Sequence, residues 1–323
     1  MKQSETITKR TAIYGAGQAG AMALTWLPAN DTAVCFIDSA PGKQGTLLGG
    51  LPVVSLGNAL EKELDEIIIA VLNREASAQI RENLRQAGFA GEVTEITTFR
   101  DHLDVRLSTL RLLKEQIERR GVPGAVAELG VYRGAFAAEI NRLFPDRTLY
   151  LFDTFAGFDP ADVSAEDERT AGDPHAGGRN FSDTGVELVR SVLPHPEKAV
   201  FVAGHFPESV AAYAAVPGAA GAAAQELIET DQKVSEADQK DLNPAQATYA
   251  LVSLDPDLYR PAADGLRFFW YRLSIGGVIL IHDYTSFQYP GIRRAVDEFC
   301  DREGLTVIPL PDLHGTAVLL KQE

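Results

Sequence analysis

The segment Ala125-Val-Ala-Glu-Leu-Gly-Val-Tyr-Arg-Gly134 reads as a short apolar strand that runs into a glycine turn, and the helical pattern Ala135–Leu143 follows directly. The turn has the spacing E-x-G-x-x-x-G, with Glu128 as its acidic residue. Backbone N–H groups of such a turn face the carboxyl end of the strand, where they favour a negatively charged group. The turn therefore suits a zwitterionic methionine moiety, with Glu128 near the ammonium and the N–H groups near the carboxylate.

Two further strands end at residues suited to the rest of such a ligand. The strand Thr148–Phe152 precedes Asp153, and an ionised carboxylate at a strand end can accept hydrogen bonds from both hydroxyls of a ribose. The strand Ala199–Ala203 precedes Gly204, which would let an adenine approach closely. The predicted cofactor-binding residues of these turns are Glu128, Gly130, Tyr132, Gly134, Asp153, Thr154, Gly204 and His205.

A carboxylate also follows each of the next two strands. Asp255 comes after Tyr249–Leu254, and Asp283 comes after Val278–Ile281. Because a strand, its crossover helix and the next parallel strand bring such residues to one sheet edge, we expect Asp255 and Asp283 to bind Mg²⁺ together. His282 would ligate the metal, which favours Mn²⁺, or act as a general base, or form only a hydrogen bond. A metal there would lower the pKa of a substrate hydroxyl, so Asp255 and His282 are the predicted catalytic residues.

The remaining pattern completes a mostly parallel, seven-stranded sheet. The glycine pair Gly276-Gly277 is predicted to introduce the last of these strands, and the chain closes with a helix over 292–299 and two strands over 306–309 and 316–320. We expect the final strand to run antiparallel. Upstream, apolar residues at helical spacing predict one amphipathic linker helix from about Asp101 to Arg120.

A second glycine turn, Gly15-Ala-Gly-Gln-Ala-Gly20, follows a short apolar strand near the start of the chain. Its G-x-G-x-x-G spacing is typical of nucleotide-binding turns, in which Gly15, Gly17 and Gly20 let a phosphate and a helix approach the backbone. Asp38 ends the next strand and could bind ribose hydroxyls. These four residues form the predicted N-terminal nucleotide-binding site of a Rossmann-like domain. A fold of this kind whose turn binds nothing tightly is the alternative.

The residues after this turn resemble parts of known sugar-modifying proteins. Phe36-Ile-Asp-Ser39, Gly42-Lys43 and Gly49-Gly-Leu-Pro-Val53 are similar to the N-terminal domain of bacterial sugar O-acyltransferases and to the nucleotide-binding domain of capsular sugar-modifying proteins. The resemblance implies a domain that binds a nucleotide-sugar or only helps assembly. No second half of a dinucleotide fold follows, which argues against a nicotinamide-dependent sugar oxidoreductase.

Length and composition limit the partners and the location. The 323 residues have room for two domains of ordinary size. The patterns above predict the first domain over 1–100, a linker over 101–123 and the second domain over 124–323. The net charge of −15 disfavours nucleic acid as a partner, and no apolar run is long enough to span a membrane. A polar N-terminus without a secretory signal predicts a cytoplasmic location. Cys35 and Cys300 are predicted to be buried thiols rather than a disulfide or metal ligands.

Several segments, in the same order along the chain, resemble the macrocin O-methyltransferase family. Besides Val126–Gly134 they are Leu151-Phe-Asp-Thr-Phe-Ala-Gly157, Gly204-His-Phe-Pro-Glu-Ser209, Leu254-Asp-Pro-Asp-Leu-Tyr259, Gly276–Tyr284 and Arg293-Arg-Ala-Val-Asp-Glu-Phe299. That family contains class I, metal-dependent enzymes that methylate deoxysugar hydroxyls with S-adenosylmethionine. The resemblance implies an α/β chain whose second Rossmann-like domain has a class I methyltransferase fold. It also implies a sugar or glycoside substrate, free or nucleotide-linked, in polysaccharide or natural-product biosynthesis.

Two features depart from that family. Its members usually have an Asp-Asp pair where this chain has His282-Asp283, and this difference keeps a non-catalytic, nucleotide-sugar-binding or scaffold protein as the alternative. Asp257 is expected to support its loop rather than to bind the metal. The stretch 217–247 has no counterpart in the family; it is expected to be a solvated helical insertion, a lid or a contact in a homo-oligomer. The loop Asp159–Asn180 would lie where substrate approaches.

Overall fold

The computed structural model describes residues 8–28, 31–102, 104–163, 180–215 and 243–322. Most of the expected insertion over 217–247 and of the loop over 159–180 lies outside these residues, so both expectations stay predictions. Contacts divide the chain into two compact units, the first running to Val105 and including Pro311–Leu313, and the second beginning at Arg106. None of the described helices is both long and apolar enough to cross a membrane.

The first unit contains a mostly parallel sheet. Its strands are β1 (Arg10–Tyr14), β2 (Thr32–Ile37), β3 (Leu47–Leu48), β4 (Leu51–Val54), β5 (Glu66–Ile69) and β6 (Glu92–Glu95), and its helices are α1 (Gln18–Trp26), α2 (Leu56–Leu60), α3 (Arg74–Gln86) and α4 (Ile96–His102). The six strands lie in the order β3-β4-β2-β1-β5-β6, and within this sheet β3 alone runs antiparallel to its neighbour. Successive residues of β1, Ala12 and Ile13, are both fully buried and enter different cores, as expected for a parallel strand with both faces covered.

The second unit contains the larger sheet. Its strands are β7 (Ala125–Leu129), β8 (Leu149–Asp153), β9 (Ala199–Ala203), β10 (Tyr249–Leu254), β11 (Leu273–Ile281), β12 (Ile308–Pro309) and β13 (Ala317–Leu320). Its helices are α5 (Val105–Arg119), α6 (Ala135–Leu143), α7 (Val186–Val192), α8 (Glu208–Ala215), α9 (Tyr259–Trp270) and α10 (Pro290–Glu303). The seven strands lie in the order β12-β13-β11-β10-β7-β8-β9, and β13 runs antiparallel to both of its neighbours. The predicted mostly parallel, seven-stranded sheet with a late antiparallel strand is therefore confirmed.

Alternate residues of β8 fill two cores of the second unit. Tyr150 and Phe152 point to one face, where fully buried Phe269 of α9 joins them. Leu149 and Leu151 point to the other face, where helix α5 contributes to the same cluster. The helix expected to act as a linker thus packs directly on this sheet. The two cysteines are buried free thiols, as predicted.

Two local predictions were wrong. In place of one helix from Asp101 to Arg120, α4 ends at His102 and α5 begins at Val105. The residue before Val105 is an aspartate, a type favoured where a new helix begins. The pair Gly276-Gly277 lies inside β11 instead of preceding it, and the register of β10 against β11 shifts along this stretch. Gly276 has φ +81°, a conformation that side chains disfavour, so a glycine pair in a strand indicated a local irregularity rather than a strand start.

Candidate active site

Backbone hydrogen bonds continue the sheet of the second unit beyond the ends of its parallel strands. Each bond joins the residue after one strand to the end of the neighbouring strand. The backbone N–H of the first residue donates to the carbonyl of the second in each of these pairs: Gly204 and Asp153, Gly130 and Phe152, Asp255 and Leu129, and His282 and Leu254. The predicted residues at the carboxyl ends of β7 to β11 therefore lie along one continuous edge, as parallel strands require.

Glu128, at the end of β7, is almost completely buried, with 1% exposure. Ser253 Oγ donates a hydrogen bond to Glu128 Oε1 at 3.0 Å, whereas Glu128 Oε2 is buried without a hydrogen-bond partner among the described residues. Burial raises the pKa of Glu128 to about 8, although the positive charge of Arg106 acts against the rise. A buried carboxylate oxygen without a partner fits an ammonium group of a ligand, because the pair would offset the cost of burying the charge.

Asp153 holds the adjacent glycine turn in place. Its Oδ2 accepts hydrogen bonds from the backbone N–H groups of Val131 at 2.6 Å and Tyr132 at 3.0 Å. Its Oδ1 accepts a hydrogen bond from the backbone N–H of Phe155 at 2.7 Å. Because both oxygens already bind the protein backbone, Asp153 orients the turn in this state, and the bonds to a ribose stay a prediction.

The two glycines of the turn are needed for close packing. A Cβ atom on Gly130, which has φ +82°, would lie 2.0 Å from the carbonyl oxygen of Asp255. A Cβ atom on Gly134, which has φ +78°, would lie 2.8 Å from a methyl group of Val189. The loop that carries Asp255 therefore rests directly on the glycine turn that follows β7.

Tyr132 and Thr154, two other predicted cofactor residues, hydrogen-bond to residues that lie in sequence on opposite sides of the undescribed stretch 164–179. The Tyr132 hydroxyl donates to both carboxylate oxygens of Asp183 at 2.8 Å. The Thr154 hydroxyl donates to the carbonyl of Gly157. These contacts hold the turns after β7 and β8, and contact of Tyr132 or Thr154 with a cofactor stays a prediction.

His205 follows Gly204 and lies between two acidic side chains. Its Nε2 is 2.7 Å from Asp162 Oδ2, and its Nδ1 is 2.8 Å from Glu208 Oε2. Burial alone would lower the pKa of His205, but hydrogen bonds to the two carboxylates raise it. The ring nitrogens are thus engaged within the protein, and contact of His205 with a cofactor stays a prediction.

Asp255, His282 and Asp283 lie together at the ends of β10 and β11, with one ligand atom from each residue within 4.8 Å of the others. His282 Nδ1 is 3.0 Å from Asp255 Oδ1 and 2.7 Å from Asp283 Oδ2. Burial alone would lower the pKa of His282, but the charge of Asp255 raises it to about 10. Burial alone would raise the pKa of Asp255, but His282 and Arg106 hold it well below its ordinary value. Two carboxylate oxygens and an imidazole nitrogen form a donor set that fits a divalent metal such as Mg²⁺ or Mn²⁺.

Left-handed backbone is concentrated at this edge of the sheet. Four non-glycine residues have positive φ here, namely Tyr132 at +50°, Phe155 at +52°, Asp257 at +61° and Asp283 at +59°. Burial and the charges of Asp255 and Asp283 raise the pKa of Asp257. Such backbone angles cost free energy in non-glycine residues, and they persist where surrounding contacts enforce them.

Two residues of the site were not indicated by the sequence patterns. Arg106, in the first turn of α5, donates from both terminal nitrogens to Asp255 Oδ2 at 3.2 Å. His314 accepts a hydrogen bond at its carbonyl from the Asp283 N–H, and its ring centroid is 5.6 Å from that of His282. The one available signal was that Arg106 lies at helical spacing from Leu110 and Ile117, on the apolar face of its helix.

In the glycine turn of the first unit, one glycine is tightly packed against the backbone and another has free space beside it. A Cβ atom on Gly20 would lie 1.9 Å from the carbonyl oxygen of Gly15, whereas a Cβ atom on Gly17 would meet nothing within 4 Å. Asp38 Oδ2 accepts a hydrogen bond from the backbone of the turn at 3.0 Å and another from Lys43 at 3.1 Å. Asp38 therefore binds its own turn, and nucleotide binding at these four predicted residues stays a prediction.

The sequence profile of the macrocin-O-methyltransferase (TylF) family matches residues 69–213 and 239–322 of the chain. The chain belongs to this family. As a macrocin-O-methyltransferase family member it is an O-methyltransferase, and S-adenosylmethionine is the methyl donor that this activity implies. The predicted family and enzyme class are confirmed by this match.

Individual relatives agree in their activity. A tetracenomycin 4'-O-methyltransferase of Streptomyces olivaceus, named for an 8-demethyl-8-(2,3-dimethoxy-alpha-L-rhamnosyl) substrate, is 28% identical over 224 residues, which are 66% of this chain and 71% of that protein. The mycinamicin III 3''-O-methyltransferase of Micromonospora griseorubida is 27% identical over 208 residues, 62% of this chain and 70% of that protein. Among solved structures, the O-methyltransferase NovP aligns with a TM-score of 0.47 at 24% identity, covering 68% of this chain and 80% of that one.

Proposed function

We propose that this O-methyltransferase transfers a methyl group from S-adenosylmethionine to a hydroxyl of a sugar or glycoside, using a divalent metal held by Asp255, His282 and Asp283. One observation carries the proposal: two carboxylates and an imidazole meet at the sheet edge, and the loop of Asp255 rests on the glycine turn after Glu128. Methyl donor and metal would thus be neighbours, as transfer to a hydroxyl requires.

The residues around Glu128 support the binding of the methionine part of the cofactor. Glu128 Oε2 is buried and lacks a partner in the described part of the chain, so a ligand ammonium would satisfy it. Asp153 meanwhile holds the turn of Val131 and Tyr132 in one conformation. This order would reduce the entropy lost when the cofactor binds.

The cluster at Asp255 supports a metal through its atoms and their charges. His282 Nδ1 lies 3.0 Å from Asp255 Oδ1 and 2.7 Å from Asp283 Oδ2, and one ligand atom of each residue is within 4.8 Å of the others, close enough to share one cation. A divalent metal bound there supplies positive charge that lowers the pKa of an acceptor hydroxyl. In the protein alone the protonated ring of His282 offsets the two carboxylates, so ligation requires His282 to give up a proton at Nδ1. Mg²⁺ is the expected metal, and the nitrogen ligand makes Mn²⁺ the alternative.

The acceptor is proposed from the relatives. One bacterial relative is named for 4'-O-methylation of a rhamnosyl-tetracenomycin, and the other for 3''-O-methylation of mycinamicin III. We therefore expect a sugar or glycoside acceptor in natural-product or polysaccharide biosynthesis, free or nucleotide-linked. For the first unit we propose a nucleotide or nucleotide-sugar at Gly15, Gly17, Gly20 and Asp38, because Gly17 leaves space for a phosphate beside the turn. Calorimetric titration with nucleoside diphosphate sugars tests that site.

The decisive experiment compares three aspartate variants of the full chain. Methyl-labelled cofactor, Mg²⁺ and a metabolite pool are incubated with the enzyme, and transferred label is detected by mass spectrometry. Asp255→Asn and Asp283→Asn are expected to lose at least about a hundredfold in metal-dependent turnover, because each removes a charged oxygen ligand. Asp264→Asn is the matched control, since Asp264 bonds to Arg267 on α9, outside the cluster. Full turnover in a chelator, or in both site variants, would rule out the metal.

A further inference from the structure

We infer that Arg106 is a positioning residue that fixes the carboxylate of Asp255 in the orientation needed for metal binding; the inference rests on the metal site proposed above. Arg106 lies in the first turn of α5, and its side chain is only 8% exposed. Both terminal nitrogens of its guanidinium donate to the same oxygen, Asp255 Oδ2, at 3.2 Å. A planar guanidinium that binds one oxygen through two donors restricts rotation of the carboxylate.

The two oxygens of Asp255 are therefore assigned to different partners. Oδ2 binds Arg106, whereas Oδ1 lies 3.0 Å from His282 Nδ1, which is itself 2.7 Å from Asp283 Oδ2. Rotation of the carboxylate would break the contacts with Arg106 and His282 together. Arg106 thus presents Oδ1, and not Oδ2, to a metal at this position.

Arg106 can fulfil this role because its own position is fixed. Its Nη2 donates to Ser253 Oγ at 3.2 Å, and its guanidinium carbon lies 3.8 Å from the centroid of the Phe136 ring. Ser253 Oγ in turn donates to Glu128, the proposed cofactor residue. The same helix is anchored in the core by Leu110 and other buried residues. The arginine is therefore part of the scaffold that joins both halves of the site.

The direction in which metal affinity changes when Arg106 is replaced distinguishes a positioning role from an effect of its charge alone. A positive charge beside Asp255 repels a divalent cation, so loss of the charge alone would strengthen metal binding. Loss of positioning has the opposite effect, because Asp255 becomes free to rotate and must lose that freedom on ligation. Lysine keeps the charge of Arg106 but lacks the two-donor geometry and the flat face that lies on Phe136.

The test measures Mn²⁺ binding to the full chain by electron paramagnetic resonance, without cofactor or acceptor. Arg106→Gln and Arg106→Lys are expected to bind Mn²⁺ at least about tenfold more weakly than the unchanged protein, with the near-ultraviolet circular dichroism of the fold retained. Arg267→Gln is the matched control, because Arg267 forms its ion pair with Asp264 on the outer side of α9. Should Arg106→Gln fail to fold, Arg106→Lys, which keeps the buried charge, carries the test.

Two outcomes would overturn the inference. Equal Mn²⁺ affinity in Arg106→Lys and the unchanged protein would mean that a positive charge at this position is enough and that the guanidinium geometry is not needed. Tighter Mn²⁺ binding in Arg106→Gln would mean that Arg106 acts only by repelling the metal ion. Absence of Mn²⁺ binding by the unchanged protein is a distinct result, because it would overturn the metal site itself and the inference with it. Steady-state kinetics adds a second measure. If Arg106 is a positioning residue, its replacement should raise the half-saturating metal concentration more than it lowers kcat at saturating metal.

Discussion

Binding of the cofactor should release a proton from Glu128. Burial raises the pKa of this carboxyl to about 8 from its ordinary value of 4.5, so below pH 8 the free protein carries it in the neutral form. The ammonium group of S-adenosylhomocysteine next to Glu128 Oε2 would stabilise the ionised form. Affinity for S-adenosylhomocysteine should therefore increase with pH and level off above about pH 8.

The size of the effect follows from the pKa of about 8 in the free protein. When one proton is released on binding, affinity changes by about tenfold per pH unit. We expect nearly one proton per cofactor at pH 6 and about half a proton at the pKa itself. The ligand-free protein should show a matching effect on its stability. Because the folded state binds this proton more tightly than the unfolded state does, the free energy of unfolding falls as pH rises from about 4.5 to about 8.

Calorimetry in two buffers that differ in ionisation enthalpy measures the proton release directly. Glu128→Gln is the control, since its amide oxygen can still accept the hydrogen bond from Ser253 but no proton can leave. The variant should bind S-adenosylhomocysteine more weakly and without the pH dependence that Glu128 provides. The same pH dependence in Glu128→Gln, or a buffer-independent enthalpy in the unchanged protein at pH 6, would refute this account of Glu128.

Three further predictions concern packing and burial. Gly130→Ala would bring a Cβ atom within 2.0 Å of the Asp255 carbonyl oxygen and should abolish transfer of labelled methyl, whereas Gly57→Ala, whose Cβ meets nothing within 4 Å, should retain it. Phe269→Ala should lower the free energy of unfolding in urea by about 3–5 kcal/mol, because this ring is fully buried. Burial raises the pKa of Cys300 to about 11, so its thiol should react with a disulfide reagent at pH 8 far more slowly in the native protein than in urea.

The sequence was most informative where a strand ends. Glu128, Asp153, Asp255 and Asp283 each follow or close a short apolar run, and the rule that parallel strands share one carboxyl edge is sufficient to bring them together. The late antiparallel strand was likewise predictable, from the position of a short apolar segment after the last helix. In these cases local pattern and chain topology determine the result without any knowledge of side-chain packing.

Contacts between distant segments were not predictable in this way. Arg106 is 149 residues from Asp255 in the chain, and only the packing of α5 on the sheet brings them together. The engagement of His205 with Asp162 depends on a loop whose path no periodicity describes. The irregularity at Gly276 was missed because a glycine pair next to an apolar run reads equally well as a turn.

The left-handed residues at the active edge have a consequence for any attempt to stabilise this enzyme. Replacing Asp257, with φ of +61°, by glycine would relieve a backbone cost of about 1–3 kcal/mol, whereas glycine at Asp283 would also remove the buried contact with His282. Selection for thermal resistance alone would therefore favour the replacement of Asp257, whose loop carries the proposed ligand Asp255. A library of variants selected for folding, without a turnover assay, would become enriched in stable proteins with impaired methyl transfer.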